Sequence, residues 1–277
     1  MTAPWARAGT LTAGGKSLEY ACFGPAPSDA PTLVLLHEGL GSVALWRDFP
    51  QALARATGLG VFVYSRAGCG TSDPAELPRP LNYMTREATE VLGEVLDAIG
   101  FERGVLVGHS DGASIAAIYG GSVPDYRVRA LVLMAPHFFT EAAGLAEIAK
   151  AKTAFENGDL RAGLGKYHDD PDRTFRGWND AWLDPDFRDW NIADMIDHLR
   201  IPTLAIQGRQ DQYGTLAQIA EIESRAYAPV ETLVLDECRH APHLDQQGAV
   251  LEAIGVFCER LFALEAAGAA PAASETA

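Results

Sequence analysis

The pentapeptide Gly108-His109-Ser110-Asp111-Gly112 constrains this chain more than any other stretch. It follows the apolar run Val105-Leu106-Val107 and leads into Ala113-Ser114-Ile115-Ala116-Ala117-Ile118-Tyr119, so a buried strand turns within a few residues into a helix of small side chains. Glycines on either side of the serine let the strand and helix backbones approach closely. The serine between them is then held in sparsely populated φ/ψ with its hydroxyl exposed. That strain costs about 1–3 kcal/mol and persists only in rigid surroundings.

The flanking sequence predicts such surroundings. Leu33-Val34-Leu35-Leu36, Val61-Phe62-Val63-Tyr64, Val105-Leu106-Val107, Leu131-Val132-Leu133-Met134, Thr203-Leu204-Ala205-Ile206 and Thr232-Leu233-Val234-Leu235 read as short buried strands. Near-continuous apolarity rich in β-branched residues marks strands covered on both faces, as in a parallel sheet. Helices are expected over about 46–57, 84–99, 111–121, 215–227 and 246–264, from apolar periodicity. Leu18-Glu19-Tyr20-Ala21-Cys22-Phe23 reads as part of an antiparallel edge hairpin opened by Gly14-Gly15. Alternating βα units predict the α/β class, with a mostly parallel, doubly wound sheet whose ligands bind beyond the carboxyl ends of the strands.

From Phe138 to Leu199 the rhythm breaks. There is no clear strand, but there are several helical pieces and many aromatics: Phe155, Tyr167, Phe175, Trp178, Trp182, Phe187 and Trp190. Its place between two core strands predicts a helical cap over the sheet's carboxyl edge, excluding water and shaping a pocket. The expected organisation is a core of residues 1–137 and 200–264, a cap of residues 138–199, and a disordered Ala-rich tail of residues 265–277. Most cap aromatics are assigned to the cap's own core, and Trp178 and Trp182 to the substrate.

Two further loops carry chemistry, each just after a predicted strand. Gly208-Arg209-Gln210-Asp211 follows Ala205-Ile206-Gln207, and Asp236-Glu237-Cys238-Arg239-His240 follows Val234-Leu235. A serine hydroxyl is a poor nucleophile until an imidazole accepts its proton, and a carboxylate fixes that imidazole's tautomer and stabilises its cation. Ser110 is therefore the expected nucleophile, His240 the base and Asp211 the orienting acid. His243 competes for the base; His240 is preferred because it comes first after the strand, leaving His243 to pack at the start of the last helix. His37-Glu38-Gly39-Leu40-Gly41-Ser42 follows another strand and can bend to present a backbone N–H. The expected oxyanion hole pairs the Gly39 amide, with Leu40 as the alternative, and the Asp111 amide at the helix start. Each such donor is worth about 3 kcal/mol of transition-state stabilisation in a comparable enzyme.

Composition narrows the partners. The formal net charge is −15 over 277 residues, against nucleic acid and anionic membrane surfaces, which need a basic footprint. No apolar run is long enough to span a bilayer, and Met1 to Arg7 lacks the apolar core of a secretory signal. Cys22, Cys69, Cys238 and Cys258 are scattered, without metal-type pairing or a disulfide framework, and predict free thiols in a reducing cytoplasm. The histidines show no ligand spacing, so no metal and no cofactor is expected. His137, just after a strand under the cap, is a candidate to line the pocket, but such a residue is more often hydrogen-bonded wall and it is left out of the site. The expected partner is a small-molecule substrate, and oligomeric state stays open.

Taken together, Gly108-His109-Ser110-Asp111-Gly112 and the chain order Ser110, Asp211, His240 resemble the serine α/β-hydrolase superfamily over residues 15 to 264. His240-Ala241-Pro242-His243 resembles the family's usual ending. Arg66-Ala67-Gly68-Cys69-Gly70-Thr71-Ser72 resembles its R-G-x-G-x-S turn and implies a structural arginine. Within the superfamily the elbow and aromatic cap are similar to small esterases and C–C hydrolases, and Leu40-Gly41-Ser42 with Ser110-Asp111-Gly112 is similar to the valacyclovir hydrolase type. The resemblance implies cleavage of a small carboxylic ester through an acyl-serine. Its alternatives are a C–C hydrolase of the meta-cleavage-product type, a lactonase, or a non-catalytic ligand receptor. Two positions depart from the family: glycine usually stands where Glu38 does, and an apolar residue or methionine where Asp111 does. Both carboxylates are candidate substrate-binding groups. The alternatives are that Glu38 pairs with Arg66, and that Asp111 favours its helix's N-terminus by about 0.3–1 kcal/mol.

Overall fold

The computed structural model describes residue 5 and residues 7–269. Eight strands form one sheet: β1 (Ala8–Ala13), β2 (Lys16–Phe23), β3 (Thr32–Leu36), β4 (Gly60–Tyr64), β5 (Gly104–His109), β6 (Val128–Met134), β7 (Thr203–Gly208) and β8 (Val230–Leu235). Their order is β1-β2-β4-β3-β5-β6-β7-β8. The β1–β2 hairpin and the β2–β4 pair are antiparallel, and every other pair is parallel. Gly14 and Gly15 close the hairpin at φ 56° and 66°, a left-handed turn that glycine adopts without penalty.

Alternation along the strands sorts the apolar residues onto two faces. Val34, Leu36 and Leu106 join one core, whereas Leu33, Leu35, Val105 and Val107 join the other. The first core is covered by α2 (Tyr83–Arg86), α3 (Leu92–Ala98), α4 (Asp111–Ser122) and α9 (Ala217–Arg225); the second by α1 (Phe49–Thr57) and α11 (Gln247–Ala269). α1 starts later than expected, because Val43–Trp46 forms a separate 3-10 turn and Pro50 stands where a helix begins. The predicted helix over 84–99 is split by a π-helical turn, Glu87–Val91, where Glu87 accepts a hydrogen bond from Tyr64 at 2.8 Å.

The cap comprises α5 (Ala142–Asn157), α6 (Leu160–Leu164), α7 (Pro171–Trp182), a 3-10 turn at Pro185–Phe187 and α8 (Ala193–Ile196). An isolated bridge joins Phe139 to Asn191. Its base is stapled to the loop after β4: Thr174 Oγ1 donates to the Gly68 carbonyl at 2.6 Å, and the Asp169 amide to the Gly70 carbonyl at 3.0 Å. A short helix, α10 (Pro242–Asp245), precedes α11.

One expectation is corrected. α11 continues through Ala269, so residues 265–269 are helical and not a disordered tail. The Glu265 carboxylate explains this, lying 2.6 Å from Arg129 Nε and 3.7 Å from Arg103 Nη1. Residues 270–277 of the expected tail lie outside the described residues. Strand order reverses around β3 and β5, and the loops leaving their carboxyl ends diverge there, opening the crevice in which such sheets bind ligands.

Candidate active site

Ser110 stands at φ 53°, ψ −119°, between β5 and α4, in the strained conformation the pentapeptide requires. A Cβ on Gly108 would lie 2.3 Å from the Gly112 carbonyl oxygen, and one on Gly112 2.0 Å from that of Leu36. Both glycines are therefore fixed by backbone approach. The strained turn is tied down by the Ser110 amide donating to the Met134 carbonyl at 2.9 Å, and by Ser114 Oγ donating to the His137 carbonyl at 2.6 Å.

The structure brings Ser110, His240 and Asp211 together. The loops after β7 and β8 meet because β7 ends in Gly208, where a Cβ would lie 2.3 Å from the Arg239 carbonyl oxygen. His240 Nδ1 lies 2.9 and 2.8 Å from the two Asp211 oxygens. A carboxylate only accepts, so Nδ1 carries the hydrogen and Nε2 is left to accept from the Ser110 hydroxyl, 2.9 Å away. Asp211 also accepts from the Tyr213 amide at 2.8 Å and from Gln207 Nε2 at 2.8 Å. Burial works to raise the Asp211 pKa, but the His240 hydrogen bond and charge and the Tyr213 amide outweigh it and hold it low. His243 packs away from the site against Trp46 and Phe49, with ring centroids at 4.7 and 5.3 Å. Burial keeps it neutral.

A cavity of about 150 Å³ opens onto Ser110 and His240. Glu38, Gly39, Leu40 and Asp111 form its core side, and Trp178 and Trp182 descend into it from the cap. Gly39 is required there, because a Cβ would lie 2.1 Å from Trp178 Cδ1. Among the described residues, neither the Gly39 nor the Asp111 amide donates to a protein acceptor. Three further wall residues were not assigned from sequence: His137, Ile148 and Tyr213. His137 follows β6 at the same sheet edge as the other site loops, which is the signal that made it a candidate. It stacks edge-on against Trp182 at 5.3 Å, and burial pushes its pKa down to about 3. Tyr213 lies two residues beyond Asp211, its ring 4.8 Å from that of His240.

The two carboxylates at unusual positions behave differently. The Asp111 side chain is fully buried, and one oxygen accepts from Tyr83 Oη, which in turn accepts from Trp182 Nε1 at 3.0 Å. Its other oxygen has no partner among the described residues. Burial raises the Asp111 pKa. The sequence alternative that Glu38 pairs with Arg66 is not what the structure contains. Arg66 donates to the main-chain carbonyls of His37 and Glu38, because they lie nearer its buried guanidinium than the Glu38 carboxylate does. That carboxylate instead lies 3.6 Å from His109 Nδ1. Desolvation pushes the Glu38 pKa up, but the adjoining His109 outweighs it and holds the pKa low.

A mostly parallel eight-stranded sheet, a cap over its carboxyl edge and a positive-φ serine between β5 and α4 define an α/β-hydrolase fold. The model of the alpha/beta hydrolase fold family matches residues 31–157, a little under half of the chain. The match contains Ser110 and ends before Asp211 and His240. Among curated relatives, the putative carbamate hydrolase RutD of Azorhizobium caulinodans is 36% identical over 38% of this chain and 37% of its own length. A proline iminopeptidase of Lactobacillus delbrueckii subsp. lactis is 30% identical over 38% of this chain and 36% of its own length. The matched stretch thus spans little more than a third of each. A solved structure of proline iminopeptidase from Mycobacterium smegmatis superposes with a TM-score of 0.71 at 19% identity, covering 92% of this chain and 98% of that one.

Proposed function

We propose that the protein is a serine hydrolase that cleaves a small carboxylic ester through an acyl-serine intermediate. The observation that carries this reading is the unbroken chain from the Ser110 hydroxyl through His240 to Asp211, with Ser110 in a strained turn at a cavity. Ser110 Oγ attacks the ester carbonyl while His240 Nε2 takes its proton. The tetrahedral oxyanion is met by the Gly39 and Asp111 amides. The C–O bond to the alcohol breaks, and His240 returns the proton to the departing oxygen. Water, deprotonated by His240, then attacks the acyl-serine, the acyl C–Oγ bond breaks as His240 returns the proton to Ser110 Oγ, and the acid is released.

A cavity of about 150 Å³ favours a short acyl group, since pockets for larger ligands run to roughly 300–1,000 Å³. The buried Asp111 oxygen without a partner favours an acyl group that brings a hydrogen-bond donor, an amine or hydroxyl. C–C cleavage of acidic dienoates is the less favoured reading, because Glu38 and Asp111 would repel an anionic substrate. The test is a panel of p-nitrophenyl acetate, butyrate and α-amino acyl esters alongside a meta-ring-fission product, run on wild type, Ser110→Ala and Asp111→Ala. Ester turnover lost in Ser110→Ala, with fluorophosphonate labelling lost in the same variant, is the expected result. Turnover of the ring-fission product alone would overturn the ester assignment. An unchanged preference between amino and neutral esters in Asp111→Ala would remove Asp111 from substrate selection.

A further inference from the structure

One carbonyl oxygen in the loop after β3 collects three donors. Arg66 Nη2 reaches the Glu38 oxygen at 2.8 Å, His37 Nδ1 at 2.6 Å and the Gly41 amide at 3.1 Å. Arg66 Nη1 donates in parallel to the carbonyl of His37. The tautomer of His37 follows from its other nitrogen: Nε2 accepts from the Arg66 amide at 3.0 Å, and an amide only donates, so the ring hydrogen is on Nδ1. Burial keeps that imidazole neutral. Arg66 is 2% exposed. A guanidinium so far from water is costly unless its hydrogens are satisfied; the acceptors its two Nη groups reach are two consecutive peptide carbonyls, while Nε has no partner among the described residues.

The Glu38–Gly39 bond is trans, the cis bond of the described chain being Leu77–Pro78. In a trans peptide the C=O and the N–H lie in one rigid plane and point in opposite directions. Whatever holds the Glu38 oxygen therefore orients the Gly39 N–H. That N–H has no protein acceptor among the described residues, and Gly39 lines the cavity with Ser110. We propose that Arg66 and His37 are positioning residues for the oxyanion hole, clamping the Glu38 oxygen so that the Gly39 N–H is aimed at the forming oxyanion and polarised toward it. Donors on a peptide oxygen draw charge through the amide and strengthen its N–H as a donor. A donor fixed before reaction needs no reorganisation when the charge develops. The role deepens the ester-hydrolase reading and rests on it.

The test uses Arg66→Met, which keeps the aliphatic stem and removes the donors, Arg66→Lys, which restores one charged donor, and His37→Leu. Each is measured for kcat and KM on p-nitrophenyl butyrate, for inhibition by a trifluoromethyl ketone of matching acyl length, and for its urea midpoint. Losing an oxyanion donor outright costs about 10²–10³ in kcat; losing its aim is expected to cost Arg66→Met about 10–100-fold, with KM within about twofold. The ketone's tetrahedral adduct needs the same hole, so its Ki is expected to weaken in step with kcat/KM across the series, with Arg66→Lys recovering part of both. A merely structural arginine would lower the urea midpoint without that parallel. A folded Arg66→Met with wild-type kcat, or one whose kcat/KM falls while the ketone binds unchanged, overturns the proposal. Should Arg66→Met fail to fold, folded His37→Leu decides by the same two readings. Wild type without Ser110-dependent turnover sinks the hydrolase reading and this inference together; wild-type turnover with an unaffected Arg66→Met sinks this inference alone.

Discussion

At Gly39 a single hydrogen atom separates a working pocket from a collision. Trp178 rests on that Cα, and an added methyl would overlap the indole at 2.1 Å, too close for a rotamer adjustment in a buried side chain. Overpacking of this kind costs about 1–3 kcal/mol. Gly39→Ala is expected to lower unfolding free energy by that amount, and Trp178→Leu in the same chain to recover most of it; urea titration of the two single variants and the double one measures the coupling. Asp211 acts through orientation instead. Asp211→Asn presents an amide that can leave His240 in the wrong tautomer, and a fall in kcat of about 10⁴ is expected with little change in fold, as in a comparable triad. A kcat within tenfold of wild type would mean that the carboxylate is not what holds the imidazole.

Between elements, the seam joining β5 to α4 is fixed by backbone contact and the cap by a few hydrogen bonds. Gly112→Ala would push a Cβ to 2.0 Å from a main-chain oxygen of β3, which has no room to retreat between β4 and β5; loss of folded protein on expression is expected, read by gel filtration. The cap base is held differently. His168 Nδ1 accepts from the Gly70 amide at 2.9 Å, and Nε2 donates to the Leu40 carbonyl at 2.9 Å, so one neutral ring ties the cap to two core loops. His168→Phe is expected to keep an aromatic ring, lose both bonds and raise KM several-fold while leaving the global urea midpoint little changed. These contrasts explain what the sequence could disclose. The elbow, the buried strands and the order Ser110, Asp211, His240 were legible because glycine spacing, apolar runs and strand-end position are local patterns. Trp178 and Trp182 were legible as candidates because they were aromatics in a cap. His168 and the main-chain role of Arg66 were not, since they depend on which carbonyl or ring arrives from a distant segment. The helical end at 265–269 was missed for the same reason: Ala-rich composition hid an ion pair with Arg129 and Arg103.

Over the whole molecule, the buried imidazoles set the response to acid. His37, His137, His168 and His243 all have pKa values lowered by burial, His137 to about 3. In the unfolded chain each titrates near 6.5. Below that pH the unfolded state binds protons that the native state refuses, so the stability these groups contribute is full above pH 6.5 and falls as pH falls. Each contributes a slope on the order of 1 kcal/mol per pH unit until its own native pKa is reached. The lowered carboxylates Asp211 and Glu38 add their losses only near pH 4 and below. Two effects oppose the decline. Asp111 and Glu87 have raised pKa values, so the native state takes up their protons first as pH falls. The net charge of −15 also shrinks toward the isoelectric point near 4.8, relieving self-repulsion. Four imidazoles against two carboxyls and a diffuse surface charge leaves the imidazoles dominant from pH 6.5 downward. The urea midpoint is therefore expected to drop between pH 7.5 and 5.5 with an unchanged m-value, and less steeply in His137→Phe, which removes one contributor. A midpoint flat to pH 5 and falling only near pH 4 would assign acid sensitivity to the carboxylates instead.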